Sequence, residues 1–304
     1  MKIALVTPAG PGTRNGNRHT ALRWAAFLRG AGHRVQVSTQ WEAGAPADAM
    51  LALHARRSHA SIKAFAGAKP LAVALTGTDV YRDIHKSAEA CESLELAERL
   101  IVLQPRAARE LPVRLRAKVH VVVQSSSTRL RHRPVARRFR VCVIGHLRAE
   151  KDPLRIVHAL PLTSAPIEVV HLGAALDPAL TPRTDDPRYR WLGSVAHARA
   201  LRWLASSHAM VISSRMEGGA NVVCEALRIG VPVIASRISG NVGLLGTDYP
   251  AYFPVEDERA LARLLSRAAT DPHFYRVLKH RVARLRPLVA PQAEARALLA
   301  AMRF

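Results

Sequence analysis

The chain has 304 residues, of which 49% are apolar, 22% are charged and 5% are aromatic, and its 45 Lys and Arg residues against 23 Asp and Glu residues give a net charge of +22. The apolar fraction excludes an intrinsically disordered chain, and the length predicts about two domains. No run approaches the roughly 20 apolar residues that a transmembrane helix needs. The apolar start of the chain breaks at Pro8, which we take as too early for a secretory signal peptide.

The three cysteines, Cys91, Cys142 and Cys224, are odd in number and far apart, and no Cys-x-x-Cys pair occurs. This pattern is not that of a disulfide framework or a zinc site. It favours a reducing, cytoplasmic setting, in which we expect all three side chains to be buried as small apolar groups.

The positive charge has three interpretations: nucleic-acid binding, a site for anionic small molecules such as phosphates, and the use of arginine on every solvated face. Arginine is spread along the whole chain and is densest over residues 129–140. No RNA-recognition motif, zinc finger or basic zipper accompanies it. We therefore expect small-molecule substrates, no nucleic-acid partner and no stable membrane insertion; the sequence leaves the oligomeric state open.

Short apolar runs alternate with amphipathic stretches in the first part of the chain. A glycine-rich loop follows the first run, and a helix is predicted over residues 20–29 because Gly30 and Gly32 end the amphipathic pattern. The predicted strands are residues 2–7, 35–37, 50–53, 71–75, 100–103 and 119–123. This alternation predicts a parallel sheet that is covered by helices on both faces.

A polar, basic segment at residues 125–138 interrupts the pattern, and we interpret it as a linker. The alternation then resumes. The predicted strands are residues 139–144, 167–172, 189–192, 210–213 and 231–236, and the predicted helices are residues 153–160, 198–206 and 221–229. From Glu258 onward the chain is predicted to be helical, with interruptions at Pro272, Pro287 and Pro291.

Two consecutive doubly wound α/β domains of the Rossmann type account best for this organisation. The predicted domains are residues 1–137 and 138–304, and the last helix is expected to pack back toward the first domain. Ligands of such sheets bind at the carboxyl ends of the strands. We therefore expect the functional site in the cleft between the two domains.

The most informative segment follows the predicted strand 210–213. A loop carries Glu217, two glycines allow a ligand to approach the backbone, and a helix begins near Ala220 with free N–H groups that suit an anion. Glu225 lies within this helix, where a carboxylate can accept two hydrogen bonds from a ribose diol. Taken alone, the pair is equally consistent with two surface glutamates flanking a helix.

Glu217 and Glu225 are separated by seven residues and precede an Ala-Leu-x-x-Gly-x-Pro-Val-Ile-Ala-Ser run. This segment resembles the Glu-x7-Glu donor motif of retaining-type glycosyltransferases with the GT-B fold, and the two-domain organisation extends the resemblance to most of the chain. The resemblance implies that Glu225 binds the ribose of a sugar nucleotide and that Glu217 lies beside the donor sugar. It implies that backbone amides face the sugar and the diphosphate at Gly218, Gly219, Ala220 and Asn221.

A second motif runs from Gly145 to Lys151 and resembles the Gly-Arg-Leu-x-x-x-Lys pattern of the same family. By this resemblance Lys151 binds the donor diphosphate, next to Gly145. The family's arginine is His146 here, so we expect Arg148 to supply the missing guanidinium; an exposed Arg148 without a role is the alternative. Fixed cations would neutralise the departing diphosphate. The predicted catalytic residues are Glu217, Lys151 and Arg148.

Neither an Asp-x-Asp nor a His-Glu-x-x-His motif occurs in the chain. We therefore predict a transferase that needs no metal and no cofactor other than its UDP-sugar co-substrate. Backbone near residues 191–194 is expected to hold the base, with Trp191 as a core residue being an equal alternative.

The first domain is then expected to bind the acceptor, through the glycine-rich loop and the ends of two further strands. Each single arginine among these residues also fits a solvated surface position. The predicted acceptor-binding residues are Gly12, Thr13, Arg14, Asn15, Asn17, Arg18, His54, Arg56, Thr76, Gly77, Thr78 and Asp79.

Many relatives carry His-Gly-x-Asp where this chain has Thr76-Gly77-Thr78-Asp79, so a polar partner for an alcohol acceptor is missing here. The loss matters little for an acceptor that arrives ionised, because such an acceptor needs no general base. The segments that comprise residues 5–35, 52–62 and 76–83 resemble one branch of this family, the selenosugar synthases of selenoneine biosynthesis. That resemblance implies UDP-N-acetylglucosamine as the usual donor and selenophosphate as the acceptor. Selenium would attack the anomeric carbon, and loss of phosphate would leave a 1-selenosugar.

Two alternatives remain open. One is a GT-B glycosyltransferase with a conventional hydroxyl acceptor on a sugar, a lipid or a small molecule. The other is a basic protein that binds nucleic acid or a membrane surface on an inactive transferase fold. The sequence does not decide between retention and inversion at the anomeric carbon or the range of sugar donors. Asp79 and Glu217 are the candidates for activating the water that removes phosphate.

Overall fold

The computed structural model describes residues 1–13, 16–67, 69–135 and 137–303. The chain forms two compact units, each with its own parallel sheet. The first unit comprises Met1–Gln124 and Pro291–Phe304, and the second comprises Ser125–Ala290.

The first unit contains a six-stranded sheet in which every pairing is parallel, in the order β2-β1-β3-β4-β5-β6. Its strands are β1 (Lys2–Val6), β2 (Arg34–Ser38), β3 (Ala49–Leu53), β4 (Leu71–Leu75), β5 (Arg99–Val102) and β6 (Val119–Val121). Its helices are α1 (Gly16–Gly30), α2 (His59–Phe65), α3 (Thr78–Tyr81) and α4 (Ala88–Leu96).

Alternate residues of these strands pack on opposite faces of the sheet. Ile3 and Leu5 of β1 lie in a core that includes Trp24 and Leu28 of α1. Ala4 and Val6 lie in a second core, which includes Ile62 of α2. A sheet buried on both faces requires strands that are apolar throughout, which is why β3 and β4 are uninterrupted apolar runs.

The second unit repeats this architecture, with all pairings parallel in the order β12-β11-β10-β7-β8-β9. Its strands are β7 (Phe139–Ile144), β8 (Ile167–Leu172), β9 (Tyr189–Trp191), β10 (Ala209–Ile212), β11 (Val233–Ser236) and β12 (Tyr252–Phe253). Its helices are α5 (Arg155–Ala159), α6 (His197–Ala205), α7 (Asn221–Ile229), α8 (Ser239–Leu245), α9 (Glu258–Thr270) and α10 (Pro272–Leu285). The strongly amphipathic helices α6, α7 and α9 each bury their apolar side.

The units divide after Gln124, whereas the sequence placed the boundary between residues 137 and 138. The reason is the hydrogen bonding of the basic segment. The backbone N–H of His132 donates to Ile229 O at 3.2 Å, and that of Arg133 donates to Ala205 O at 2.8 Å. The described part of the segment is therefore hydrogen-bonded to the second unit, at Ser126, His132, Arg133 and Val135.

The last helix, α11 (Pro291–Ala301), belongs to the first unit. It is held there by the buried carboxylate of Glu294, which accepts a hydrogen bond from Trp24 Nε1 at 2.7 Å and pairs with Arg23 at 2.8 Å. A buried carboxylate with two partners of this kind is satisfied both electrostatically and by hydrogen bonding.

The predicted fold class, two parallel-sheet α/β units, is confirmed. Helices α2, α3, α4 and α8 and the short strand β12 were not predicted from the sequence. The expectation that all three cysteines are buried was wrong for Cys91, which is exposed, whereas Cys142 and Cys224 are buried. Among the described residues no helix is long and apolar enough to cross a membrane.

Candidate functional site

The paired strands β7 and β10 of the second unit end at the same edge of the sheet. After β7 the chain runs through Gly145 to Lys151, and after β10 it runs through Ser213 and Ser214 to Glu217. The Ser213 hydroxyl links the segment after β10 to the segment after β7, because it donates a hydrogen bond to the carbonyl of Asp152 at 2.8 Å. Adjacent parallel strands thus place the two sequence motifs side by side.

Lys151 and Glu217 meet at this edge. The Lys151 ammonium donates to Glu217 Oε1 in an ion pair, and the Ser214 hydroxyl donates to the same oxygen at 2.6 Å. The Glu217 side chain is only 10% exposed and that of Lys151 24%, so water screens this pair less than it would a surface pair. Both charged residues were predicted from the sequence, whereas Ser214 was not.

The backbone of Glu217 is fixed by a close approach of helix α8. A Cβ on Gly240 would stand 2.0 Å from the Glu217 carbonyl oxygen, so only glycine fits there. Next to it, Ser236 Oγ donates to Ser214 O at 2.5 Å and Asn241 Nδ2 donates to Ser236 O at 2.9 Å. These buried groups hold the loop that presents Glu217.

Helix α7 begins at Asn221, immediately after Gly218, Gly219 and Ala220. Ala220 occupies the N-cap position and supplies no side-chain cap, and the first turn carries no acidic residue. Gly218 is buried and Gly219 half-buried. A helix start without a carboxylate and without a side-chain cap presents the positive end of the helix dipole, which favours an anion.

Glu225 lies one turn further along α7 and is half-buried. Its Oε1 is 2.7 Å from Nε2 of His197, the first residue of α6. This hydrogen bond raises the pKa of His197 above its ordinary value, against the opposing effect of burial. His197 could not be predicted from the sequence, because it lies 28 positions from Glu225 and meets it only through the packing of α6 beside α7.

The other residues of the second motif are placed differently from Lys151. Gly145 contacts the backbone at Gly173, where a Cβ would stand 1.8 Å from the Gly145 carbonyl oxygen. His146 Nδ1 accepts a hydrogen bond from the backbone N–H of Ala174 at 3.1 Å. The Arg148 side chain is exposed and forms no ion pair with any described carboxylate. Of the two predicted cations, the structure brings only Lys151 to Glu217.

Trp191 is half-buried at the end of β9, and its indole N–H donates to the carbonyl of Gly173 at 2.9 Å. A contact of this region with a nucleotide base stays a prediction.

In the first unit, Asp79 joins the ends of strands β3 and β4. Its buried carboxylate accepts hydrogen bonds from the backbone N–H groups of Gly77 at 2.7 Å, Thr76 at 3.0 Å and Ala55 at 3.1 Å. The side chain therefore fixes two of the predicted acceptor-binding loops to each other.

His54 lies at the same edge, directly after β3, and is 3% exposed. Its φ of 76° is in the left-handed region, which is costly for a residue with a side chain. Its Nε2 is 3.4 Å from Thr78 Oγ1 and its Nδ1 is 3.9 Å from Asp79 Oδ2. Burial lowers the pKa of His54, and the Asp79 carboxylate opposes this shift.

Arg56 is the predicted cation of this loop, and it pairs with Asp83, a residue that the sequence analysis missed. Arg56 Nε lies 3.1 Å and Arg82 Nε 3.3 Å from the buried Asp83 carboxylate. The i,i+4 spacing of Asp79 and Asp83 was the signal that could have indicated the second carboxylate.

The glycine-rich loop turns at Gly12, which has a φ of 84°, and the Thr13 hydroxyl donates to Gly10 O at 2.8 Å. Arg14 and Asn15 lie outside the described residues. Asn17 and Arg18 are half-buried in the first turn of α1. At the ends of β1 and β4, the buried hydroxyls of Thr7 and Thr76 have no hydrogen-bond partner among the described residues. Such hydroxyls are costly to bury unless something bonds them.

Within the described part of the chain, no group of three or more His, Cys, Asp or Glu residues is arranged to hold a metal ion. The absence of a metal requirement stays a prediction.

Residues 138–271 match the family model described as glycosyl transferases group 1. No curated protein matches the sequence at a significant level.

Several solved structures share the fold. Sucrose-phosphate synthase from Thermosynechococcus elongatus has a TM-score of 0.79 at 16% identity, over 99% of this chain and 98% of that one. Anabaena HepE, solved in complex with UDP-glucose, has a TM-score of 0.76 at 15% identity, over 99% and 98%. A glycosyltransferase from Rickettsia africae has a TM-score of 0.70 at 14% identity, over 98% and 97%.

The family match covers the segment that carries Lys151, Glu217 and Glu225, and the structural similarity extends over nearly the whole chain. Residues 138–271 are therefore similar in sequence to the group 1 glycosyl transferases, and the chain has the GT-B fold.

Proposed function

We propose that this protein transfers a sugar from a UDP-sugar to selenophosphate. The observation that carries the donor half is the meeting of Lys151 and Glu217 at the edge where α7 begins, with Glu225 one turn into that helix. The HepE structure, which shares the fold, was solved with UDP-glucose. These findings support a UDP-sugar donor; the selenium acceptor rests on the sequence resemblance of the first unit.

Each donor-site residue has a separate task in this proposal. The Glu225 carboxylate accepts hydrogen bonds from the ribose diol, which replaces its present partner His197. The Lys151 ammonium leaves its ion pair with Glu217 and binds the diphosphate instead. There it stabilises the negative charge that develops as the bond from C1 to the diphosphate oxygen breaks. The amides at the start of α7 add to this stabilisation, and Glu217 is left to bind sugar hydroxyls.

The acceptor step balances without an oxidant or reductant. The selenium of selenophosphate attacks C1 with an electron pair, the C1–Se bond forms, and UDP leaves with the electrons of the C1–O bond. Water then attacks phosphorus, the P–Se bond breaks, and the products are a 1-selenosugar and phosphate. Arg56 and Arg82 around Asp83, and the unpartnered hydroxyls of Thr7 and Thr76, are groups that suit a phosphate.

Two carboxylates were predicted as candidates for activating that water. The Asp79 carboxylate already accepts three backbone hydrogen bonds, which occupy both of its oxygens and leave neither open to a water. This favours Glu217, whose hydrogen bonds from Lys151 and Ser214 both go to Oε1.

The decisive experiment measures UDP release by mass spectrometry, with UDP-N-acetylglucosamine as the donor and selenophosphate, thiophosphate, glycerol or glucose as the acceptor. We expect release with selenophosphate and a C–Se product, unchanged by added chelator. Release with an alcohol but not with selenophosphate would assign the protein to the hydroxyl-acceptor alternative. Restoration of activity by Mg²⁺ after chelation would show that a metal is required.

A separate experiment tests the alternative that the chain is a basic binding protein. A protein of that kind is retained on nucleic acid or anionic vesicles in a salt-dependent way and shows no rise in melting temperature with UDP. A UDP-induced rise in melting temperature, without such retention, supports the transferase.

A further inference from the structure

We propose that Arg131, Arg228 and Arg286 form a second anion site, which binds a small, multiply charged phosphate. The site lies in the second unit and does not use the donor residues. Arg228 is in the last turn of α7, while the predicted diphosphate contacts are at the first turn, about 10 Å away along the helix axis. The proposal does not depend on the proposed function.

Backbone contacts bring the three arginines together. The N–H of His132 donates to Ile229 O at 3.2 Å, which places Arg131 beside the end of α7 and Arg228. The 3-10 turn Arg286–Val289, which follows α10, packs against α7. The three side chains therefore come from three separate segments of the chain.

No carboxylate balances this charge. Among the described residues, Arg131, Arg228 and Arg286 form no ion pair, whereas Arg140 pairs with Glu168 at 2.6 Å and Arg281 with Asp248 at 2.7 Å. The segments 125–149 and 272–290 contain no Asp or Glu. The two segments that carry Arg131 and Arg286 therefore supply no carboxylate to this group of arginines.

Burial makes the excess charge more costly. Arg228 Nε is shielded from water and has no hydrogen-bond partner among the described residues. The pKa of Arg286 lies below its ordinary value, chiefly because of burial and further because of the charges of Arg131 and Arg228. Arg228 and Arg286 are half-buried and Arg131 is exposed beside them. Two half-buried guanidiniums, one with an unbonded N–H, are stabilised by an anion from solution, and guanidiniums bind phosphate oxygens in pairs.

The test is a calorimetric titration with pyrophosphate of the wild type, the double variant Arg228→Gln/Arg286→Gln and the control Arg263→Gln. Arg263 is an exposed residue of α9. Because any binding of pyrophosphate at the donor site is common to all three proteins, the difference between them isolates the arginine site. We expect a binding component in the wild type and the control that is weakened about tenfold or more in the double variant. Equal titrations of all three proteins would overturn the proposal.

Thermal unfolding provides a second measurement that does not depend on a fitted stoichiometry. Without phosphate, Arg286→Gln is expected to keep or raise the melting temperature, because it relieves like-charge repulsion. Pyrophosphate is expected to raise the melting temperature of the wild type by more than that of the double variant. A lower melting temperature for Arg286→Gln, with the same response to pyrophosphate, would show that the arginines are structural.

A lipid headgroup is another source of the same chemistry. Sedimentation with phosphatidylglycerol vesicles separates the two sources. If the wild type sediments with the vesicles, the double variant does not, and pyrophosphate does not bind, the site is assigned to a lipid headgroup. If pyrophosphate binds and the wild type does not sediment, the site is assigned to a free phosphate.

Discussion

Gly240 lies against the backbone of Glu217, with no room between them for a side chain. A Cβ on Gly240 would stand 2.0 Å from the Glu217 carbonyl oxygen and 3.0 Å from the Glu217 Cβ. The neighbour is backbone rather than a flexible side-chain end, so it cannot rotate away. The position of the Glu217 carboxylate therefore depends on a residue 23 positions later in the chain.

The first prediction is that Gly240→Ala displaces Glu217. We expect a loss of about 1–3 kcal/mol in the free energy of unfolding, because overpacking forces the backbone to shift, together with a loss of transferase activity. Chemical denaturation and the UDP-release assay measure the two effects. Gly30→Ala is the matched control, since nothing lies within 4 Å of its added Cβ; equal stability of the two variants would contradict the contact.

Glu225→Ala is predicted to abolish the rise in melting temperature that UDP produces, because the ribose loses the carboxylate that accepts its hydroxyls. Differential scanning fluorimetry with increasing UDP measures this rise. Asp185→Ala removes an exposed carboxylate of the same unit and should leave the rise intact. A full UDP response in Glu225→Ala would remove Glu225 from the donor site.

Lys151→Ala is predicted to reduce turnover by about a hundredfold or more, the usual scale for losing one preorganised charge at a developing anion. The loss should appear in kcat and not only in KM, because the charge on the leaving diphosphate is greatest in the transition state. Lys279→Ala, an exposed lysine of α10, is the control. Wild-type turnover in Lys151→Ala would exclude this role.

His197 is predicted to make nucleoside binding depend on pH. The hydrogen bond from His197 to Glu225 raises the histidine's pKa above 6.5, so this pair contributes fully to stability below pH 6.5, and its contribution is lost as the pH rises through the raised value. A ribose that displaces His197 should therefore bind about two- to fivefold more tightly at pH 8.5 than at pH 6. Titration with uridine, which has no phosphate to ionise in this range, measures the effect.

The control for that experiment is His197→Ala, which should bind uridine with an affinity independent of pH. An unchanged pH dependence in this variant would show that another group is responsible.

Arg56→Gln is predicted to raise the KM for selenophosphate about tenfold while leaving the KM for the UDP-sugar unchanged, because Arg56 lies in the first unit and the donor motifs lie in the second. Steady-state kinetics with each substrate varied in turn separates the two constants. Arg109→Gln removes an exposed arginine of the same unit and should change neither. Equal KM values for selenophosphate in Arg56→Gln and the wild type would remove Arg56 from the acceptor site.

Much of this molecule follows from local sequence pattern. Apolar runs of the length of β3 and β4 that alternate with amphipathic stretches are typical of a parallel sheet covered on both faces, so this alternation predicted the α/β class. Lys151 and Glu217 could be predicted because each follows an apolar strand, and the ends of neighbouring parallel strands lie at one edge. Ser214 and Gly240 were missed, because neither stands out from the serines and glycines of ordinary loops.

The sequence by itself determined two α/β units and a charged motif at the start of α7, because burial and helix initiation depend on residues close together in the chain. Only the tertiary structure decided which charges pair. Lys151 meets Glu217, Glu225 meets His197, and the Asp79 carboxylate accepts hydrogen bonds from backbone amides. Arg131, Arg228 and Arg286 form no ion pair with a carboxylate in the described part of the chain. Electrostatic energy depends on distance in space, and distances between remote residues are set only when the helices and loops have packed.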